Sequence, residues 1–399
     1  MKNVQKQILH IDVNNAFLSW TAIDRLAQGE KIDIREIEAV IGGDESKRSG
    51  IVLAKSMKAK RRGVCTGETL YQARLKCPNL QVFKGNYQSY KKHSDKLYNL
   101  LLKYTDKIER FSIDECFLDM TEYLRNDSLI NKAYEINKRV KHELGFTVNI
   151  GVAHNKLLAK MASDFTKPDR VHTLFEEEIP NKMWVLPVSE LFMLGKKTLP
   201  KLYSMGIKTI GDLAKKDKTE IIKKFGKHGL LMWEYSNGID NSSVNYIKEK
   251  PKGVGNSVTL PQDIYNIEKI EEVLLSLTEQ VTYRLRSYNM YANVVNVQLR
   301  TNEFKDFSHQ KRLIRPTSST KYIYKLAKEL LSQMYKKGTA IRLVGIRLDG
   351  LIDKDEMQLS LFDDDNNVKQ ENLDKVIDEL KNKYGYKKIT RAGKINLIN

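Results

Sequence analysis

The residues best placed to do chemistry are an adjacent Asp114-Glu115 pair inside Arg110-Phe111-Ser112-Ile113-Asp114-Glu115-Cys116-Phe117-Leu118-Asp119-Met120, a stretch that otherwise reads as buried β structure. Burying two anions side by side is costly unless cations neutralise them. Divalent hard cations prefer oxygen ligands and do this most simply. Successive side chains on a strand point to opposite faces. Both carboxylates therefore reach one site only at a hairpin turn or a bulge, and one is predicted here. Taken alone, the pair is more simply an acidic surface turn, and the rest of the chain has to overturn that reading. A third carboxylate, Asp12, ends a short apolar strand, Lys6 to Asp12 (KQILHID). Val13-Asn14-Asn15 turns from it into a helix beginning near Ala16-Phe17-Leu18. An Asp at such a place is often only a turn or cap residue. If the strands are neighbours, Asp12, Asp114 and Glu115 would hold two Mg²⁺ ions about 3.5–4 Å apart, with Mn²⁺ as a substitute, the arrangement for phosphoryl transfer. One ion would activate an attacking hydroxyl; the other would hold a triphosphate and its leaving pyrophosphate. Free N–H groups of the turn and helix start, at Asn15 and Ala16, would face a phosphate.

The elements that must position these residues belong to a chain of 399 residues, too long for one small core, so two to four domains are expected. Hydrophobic content of 41% with 30% charged residues describes a soluble globular protein. No apolar run approaches the roughly 20 residues that span a bilayer, and the first residues lack a signal-peptide core. Cys65, Cys77 and Cys116 form no CxxC pair, which suits a reducing, cytoplasmic setting. The charge is the informative quantity: +18 points first to nucleic acid. An amphipathic helix is predicted over 86–105, with Leu97, Leu100, Leu101 and Tyr104 on its buried side, and another around 129–144. A strand over 147–153 leads to a helix that buries Leu157, Leu158, Met161, Ala162 and Phe165 and leaves Lys156 and Lys160 on another face. Pro168 is expected to halt it.

HIDVNNAF, then FSIDECFLDM about a hundred residues on, then Gly151-Val152-Ala153-His154-Asn155-Lys156-Leu157-Leu158-Ala159-Lys160-Met161-Ala162-Ser163-Asp164 continuing to Lys167-Pro168, resemble the Y-family (DinB/UmuC-type) translesion DNA polymerases of bacteria. Order and spacing match together, and the similarity runs from residue 6 to residue 362. The resemblance implies an α+β multidomain right-hand polymerase with a ferredoxin-like palm, small fingers, a helical thumb with a helix-hairpin-helix, and a βαββαβ little finger. It implies that Asp12, Asp114 and Glu115 bind the metals with the backbone carbonyl of Val13, and that Phe17 is a steric gate that excludes a 2′-hydroxyl by clash. It further implies that Lys167 reaches the β/γ-phosphates. Departures stand beside these matches. Met57 and Lys60 occupy positions where the family often has Tyr and Arg, and Lys lacks the bidentate fork of Arg. The resemblance implies that Lys60 binds the dNTP phosphates more loosely than Arg would, while a substitute grip by Lys55 or a plain solvated basic helix remains open there. Arg170 stands where the family usually has Gly, two residues after Pro168.

On this reading residues 1–23 and 85–175 form the palm, and 24–84 the fingers, rich in Lys47, Arg48, Lys55, Lys58, Lys60, Arg61 and Arg62. Residues 176–245 read as all-helical, a thumb in which Gly195, Lys196 and Lys197 resemble a helix-hairpin-helix turn whose N–H groups approach a DNA phosphate. The usual first Gly of that turn is Met193, and a second Gly turn lies at Phe225-Gly226-Lys227-His228-Gly229. A linker, 246–252, precedes a βαββαβ segment, 253–350, with strands near Val258, over 292–300, near Arg312 and over 341–348, and helices over 267–288 and 317–335. That order suits a ferredoxin-like domain. Arg300, Lys311, Arg312, Arg315, Arg342 and Arg347 lie on or beside its strands and would follow duplex phosphates without regard to sequence. In the tail, 351–399, Gln358, Leu359, Leu361 and Phe362 resemble the peptide that binds the bacterial sliding clamp (β subunit). An amphipathic helix then follows, marked by Leu373, Val376, Ile377 and Leu380, capped near Gly385 and expected to dock on the body or on a partner.

The leading expectation is a template-directed, low-fidelity, clamp-tethered polymerase, a monomer acting on primer-template DNA and dNTP. Palm-type nucleotidyl cyclases share the carboxylate logic but have no use for a thumb and a basic second domain. The alternative is a DNA-binding accessory protein with a decayed polymerase site, which Met57, Lys60 and Arg170 keep open.

Overall fold

The structure, a computed structural model, describes residues 5–45, 48, 50–124, 127–247, 249–356, 365–385 and 389. They fall into two units, Met1–Gly43 with Ile51–Lys248 and Asp44–Gly50 with Glu249–Asn399, and the division at 248 lies inside the stretch read as a linker.

In the first unit β1 (Ile8–Val13) is buried along its whole length. Leu9, Ile11 and Val13 pack on one side with Trp20, Tyr90, Leu97 and Leu118. Ile8 packs on the other side with Phe117, Leu157 and Leu158, where His10 also meets Phe117, ring centroids 4.4 Å apart. Strand alternation therefore sends Asp12 to that second side. After α1 (Ala16–Ala27), the elements β2 (Ala39–Gly42), β3 (Val52–Lys55), α2 (Met57–Arg61), α3 (Leu70–Lys76) and β4 (Gln81–Lys84) build a small sheet of order β3-β2-β4. The predicted helix over 86–105 is α4 (Tyr87–Leu101), capped by Asn86, whose side chain accepts from the Gln88 and Ser89 N–H groups. β5 (Ile108–Arg110) and β6 (Glu115–Asp119) are the predicted hairpin, closed by Phe111 and Ser112 N–H groups that both donate to the Glu115 carbonyl at 3.0 and 3.2 Å.

α5 (Leu129–Arg139) runs on through a wider turn, Val140–Leu144, and stops at Gly145 with φ 76°. β7 (Val148–Ala153), α6 (Lys156–Ser163) and β8 (Val171–Thr173) complete a sheet of order β5-β6-β1-β7-β8. Its first four strands have the expected ferredoxin wiring, with β1 inside, and β8 adds in parallel beside β7. At Gly151 on β7 a Cβ would lie 1.9 Å from the Ala159 carbonyl oxygen, so backbone meets backbone there and α6 is drawn onto the sheet. α6 ends at Ser163, before Pro168 can act, because the Asn149 side chain takes the Ser163 and Thr166 carbonyls at 3.1 and 2.9 Å and pulls the chain out of the helix. α7 (Leu199–Tyr203), α8 (Ile210–Ala214), α9 (Lys218–Phe225) and α10 (Lys227–Ser236) follow, and Leu202, Ile207, Ile210 and Met232 share one core with Leu157 and Leu158 of α6.

The second unit runs β9 (Gly253–Ile264), α11 (Ile267–Ser287), β10 (Met290–Thr301), β11 (Asp306–Thr317), α12 (Thr320–Met334), β12 (Ile341–Asp349) and the short β13 (Ile352–Asp353). The βαββαβ order is as expected, but the wiring is not that of the first sheet. The order is β11-β10-β12-β9, with the first strand at an edge. Val295, Val297 and Leu299 of β10 pack with Leu274, Leu277, Ala327 and Leu331 of the helices.

α13 (Asp365–Tyr384) is the expected helix and docks on this unit through polar residues. Leu373, Val376 and Leu380 are exposed, whereas Asp374 and Lys381 are buried at 1% and 6% exposure. Asp374 accepts from the Thr320 N–H at 2.9 Å at the start of α12, and Arg286 grips both oxygens of Asp378 at 2.6 and 2.9 Å. Polar partners on α11 and α12 set the orientation, and of the apolar stripe only Ile377 is half-buried. Lys47 and the peptide residues Gln358, Leu359, Leu361 and Phe362 lie outside the described residues.

Candidate active site

The register of the central sheet brings the carboxylates together. Asp12 on β1 lies directly opposite Glu115 on β6, and the Val13 N–H donates to the Asp114 carbonyl at 3.0 Å. Glu115 opens its strand on the same side as Phe117 and so shares the Asp12 side. Asp114 still belongs to the turn, which frees it from strict alternation. Asp12, Val13, Asp114 and Glu115 line a cavity of about 360 Å³ whose other walls include Asn15, Ala16, Phe17, Thr66, Lys160, Asp164 and Lys167.

Anions half-withdrawn from water need cations, and the chain supplies two. Lys160 Nζ donates to Glu115 Oε1 at 2.6 Å and lies 3.2 Å from Asp164 and 3.6 Å from Asp12. Lys167 Nζ donates to Asp12 Oδ2 at 2.6 Å and lies 2.9 Å from Asp164. Burial raises the Asp12 and Glu115 carboxyls above their ordinary values, more than these lysines lower them. Burial acts downward on Lys160 and Lys167, yet the surrounding carboxylates outweigh it and both ammonium groups end above their usual value. The donor set suits Mg²⁺: hard oxygens, two of them on adjacent strands, with positive charge already gathered upon them. No three of these side chains form a ready ligand set among the described residues. Glu115 is turned onto Lys160, and Asp114 onto Ser112, whose Oγ donates to it at 2.5 Å.

Phe17 stands at the cavity wall and stacks on buried Tyr90, centroids 4.7 Å apart and planes 13° apart, with Tyr87 at 5.6 Å. Asn15 adopts φ 50° at the start of α1, and its side chain donates to the Lys55 carbonyl at 2.6 Å, tying the turn to β3. Lys60 and Met57 are exposed on α2 and do not line the cavity; Lys55 instead donates to Thr66, which does, at 3.1 Å. In the loop of Arg170 it is the preceding Asp169, and not Arg170, that takes the left-handed conformation, φ 59°. Lys160, Asp164 and Ser112 were missed by sequence reasoning. The face of α6 that carries Lys160 is not open to solvent: the residue is 7% exposed among carboxylates. Lys160 meets Glu115 and Asp12 while Lys156, one turn earlier, meets Glu109 at 2.7 Å, and periodicity alone could not reveal those partners.

Away from the cavity, Gly195, Lys196 and Lys197 are exposed before α7, and Met193 takes φ 67° in the place of the usual glycine. In the second unit Val294 pairs with Arg312 and Asp349, and Asn296 with Gln310 and Arg347, so Arg300, Arg312 and Arg347 share the sheet face away from the helices. Lys311 pairs with inward Val295 and approaches Glu329 of α12 at 3.6 Å, so it leaves that face. Arg300 and Arg347 are held by Asp306 and Asp349 at 2.7 and 2.8 Å. Arg342 lies over the Phe304 ring, 4.8 Å from its centroid, and Arg315 is exposed.

Residues 11–164 match the model of the impB/mucB/samB family, and residues 251–361 match that of the family's C-terminal domain. The chain belongs to this family. It is the Y-family of polymerases that the three sequence blocks resemble. DNA polymerase IV of Clostridium acetobutylicum is 47% identical over 98% of both chains. DNA polymerase IV 1 of Bacillus subtilis is 33% identical over 98% of this chain and 94% of that one. A solved Y-family DNA polymerase chimera superposes with a TM-score of 0.77 at 23% identity, covering 87% of this chain and 99% of its own, which establishes the shared fold. No helix among the described residues is long and apolar enough to cross a membrane.

Proposed function

We propose that Asp12, Asp114 and Glu115, with the Val13 carbonyl, hold two Mg²⁺ ions, or Mn²⁺ in their place, for transfer of a deoxynucleotide to a primer 3′-hydroxyl. As a family member with near-full-length relatives named DNA polymerase IV, the chain is a DNA-directed DNA polymerase of the translesion class. The observation that carries the site reading is the pairing of Asp12 with Glu115 on adjacent strands, Asp114 in the turn beside them. When bound, such ions lower the pKa of the attacking hydroxyl and neutralise charge on the leaving pyrophosphate. Lys160 and Lys167 hold the same carboxylates in place beforehand. On engagement of a dNTP, Lys167 exchanges Asp12 for the β/γ-phosphates, and the N–H groups of Asn15 and Ala16 meet the same oxygens. Lys60 is left as an outer, solvent-screened contact. Phe17, braced by Tyr90, sits under the sugar and leaves no space for a 2′-hydroxyl.

In the same reading, 1–23 and 85–175 are palm, 24–84 fingers, 176–245 thumb, 246–252 linker, 253–350 little finger and 351–399 a tail. Gly195, Lys196 and Lys197 with Arg300, Arg312, Arg315, Arg342 and Arg347 meet the phosphates of primer-template DNA. Gln358, Leu359, Leu361 and Phe362 engage the sliding clamp, and the chain works as a cytoplasmic monomer.

Primer extension with single dNTPs and Mg²⁺ tests the site. Asp114→Ala is expected to lower kcat/KM by on the order of 10³-fold, the scale of a lost electrostatic contribution. Phe17→Ala is expected to raise ribonucleotide use relative to dNTP by on the order of 10²-fold. Wild-type protein that binds primer-template but extends nothing, even with Mn²⁺, would replace this reading with an accessory role in DNA binding.

A further inference from the structure

Lys167 sits in a loop, 164–170, whose two legs are tied to one buried point. Asn149 on β7 is fully buried and Asn14, just past Asp12, is 7% exposed. Asn149 Nδ2 donates to the carbonyls of Ser163 at 3.1 Å and Thr166 at 2.9 Å, which fixes the incoming leg. Its Oδ1 accepts from the Arg170 N–H at 3.3 Å and from Asn14 Nδ2 at 3.1 Å. Asn14 Oδ1 accepts in turn from the Asp169 N–H at 2.8 Å, so the outgoing leg hangs on both amides. A carboxylate at 149 would lose both donors and face two carbonyls. A hydroxyl could not donate twice. The chemistry asks for a carboxamide.

The same pair is anchored to the catalytic strand. Asn149 lies directly opposite Asp12 in the β1–β7 register, and the Asn14 N–H donates to the Thr147 carbonyl at 3.0 Å. Asp169, between the two grips, holds φ 59°, where an L side chain needs support. Asn137 and Lys141 supply more of it, donating to its carboxylate at 3.2 and 2.7 Å. The lysine is thereby set against Asp12 by a network of hydrogen bonds, beside which Phe165 of the incoming leg packs on the core.

We infer that Asn14 and Asn149 are positioning residues for the triphosphate grip, acting on the reaction only through Lys167. This rests on the reading of Lys167 as the β/γ-phosphate contact. Free of that connection, Lys167 samples many orientations, and binding the triphosphate has to order it at the cost of affinity.

The test is the affinity of the protein–primer-template complex for a non-hydrolysable α,β-imido dNTP, measured by fluorescence titration alongside KM, kcat and Tm. Asn149→Ala and Asn14→Ala are expected to weaken analogue binding by about tenfold each, the scale of one or two lost hydrogen bonds. In a Lys167→Ala background the same substitutions are expected to add less than about twofold, since their route is already cut. An undiminished tenfold effect in that background, or full analogue affinity in the asparagine variants, overturns the inference. Unchanged analogue binding in Lys167→Ala alone overturns the phosphate reading of Lys167 and this inference with it, a result the asparagine variants cannot mimic. If Asn149→Ala does not fold, Asn149→Ser, which keeps one donor, and Asn14→Ala decide the matter by the same comparison.

Discussion

Asp12 and Glu115 are carboxylates that the fold makes reluctant to ionise, since burial raises both above their ordinary values. Between the unfolded and the folded value the native chain keeps protons that the unfolded chain has already released. Stability therefore falls as pH rises through that window, and at neutral pH the ionised pair is a standing cost. A divalent ion that binds only the native site offsets it, by about 2.7 kcal/mol at a hundred times its Kd. Saturating Mg²⁺ should accordingly raise Tm in a scanning-fluorimetry series, more at pH 8 than near pH 5, where protons compete for the same oxygens. The rise should vanish in Asp12→Asn/Glu115→Gln; a rise that persists there would place the ions elsewhere. Asp114 and Glu115 stand out in the sequence as anions between apolar residues, yet taken alone they read as an acidic surface turn, and it is the resemblance that joins Asp12 to them. Lys160 does not stand out, because a lysine on a helix looks alike whether its head meets water or Glu115. Phe17 is one aromatic among many until the resemblance singles it out.

At the scale of elements, the seam between α6 and β7 governs whether the site exists at all. α6 carries Lys160, and its end opens the loop of Lys167. Its closeness to the sheet depends on Gly151, where any Cβ would be driven into the Ala159 carbonyl and within 2.7 Å of the Ser163 nitrogen. Backbone cannot yield as a side chain can. Gly151→Ala is therefore expected to cost about 3 kcal/mol or more, the upper end of overpacking, seen as a lower urea midpoint for the first unit, with extension activity falling in parallel. Retained stability would mean that α6 can slide along the sheet. Strand and helix positions were largely readable from periodicity, as α4, α11 and β10 show. The end of α6 was not, because the Asn149 amide, fourteen residues before Ser163, sets it. The face by which α13 docks was not readable for a related reason. Its apolar stripe does not say which side is covered, and the Thr320 N–H at the start of α12 and the charged Arg286 are partners that only the assembled unit reveals.

Over the whole molecule the excess charge of +18 matters more than any one contact. Part of the basic sheet face is internally balanced, since Arg300 and Arg347 are paired with Asp306 and Asp349. The remaining positive field acts on any duplex whatever its sequence, as a polymerase that must follow every template requires. Affinity that comes from displaced counterions leaves a definite trace: six neutralised phosphates give a slope of about −5 in log K against log salt, and on the order of 10³-fold weaker binding between 50 and 200 mM. Anisotropy titrations of primer-template against NaCl should show a slope of that size, the same for unrelated sequences. Arg312→Ala should flatten the slope by about one unit if that side chain meets a phosphate. A slope near zero would mean that DNA is held chiefly by apolar or base contacts, and the basic sheet would then need another anionic partner. A normal slope left unchanged by Arg312→Ala would instead shift the contact to the exposed Lys196 and Lys197 before α7, where the same substitution should then remove it.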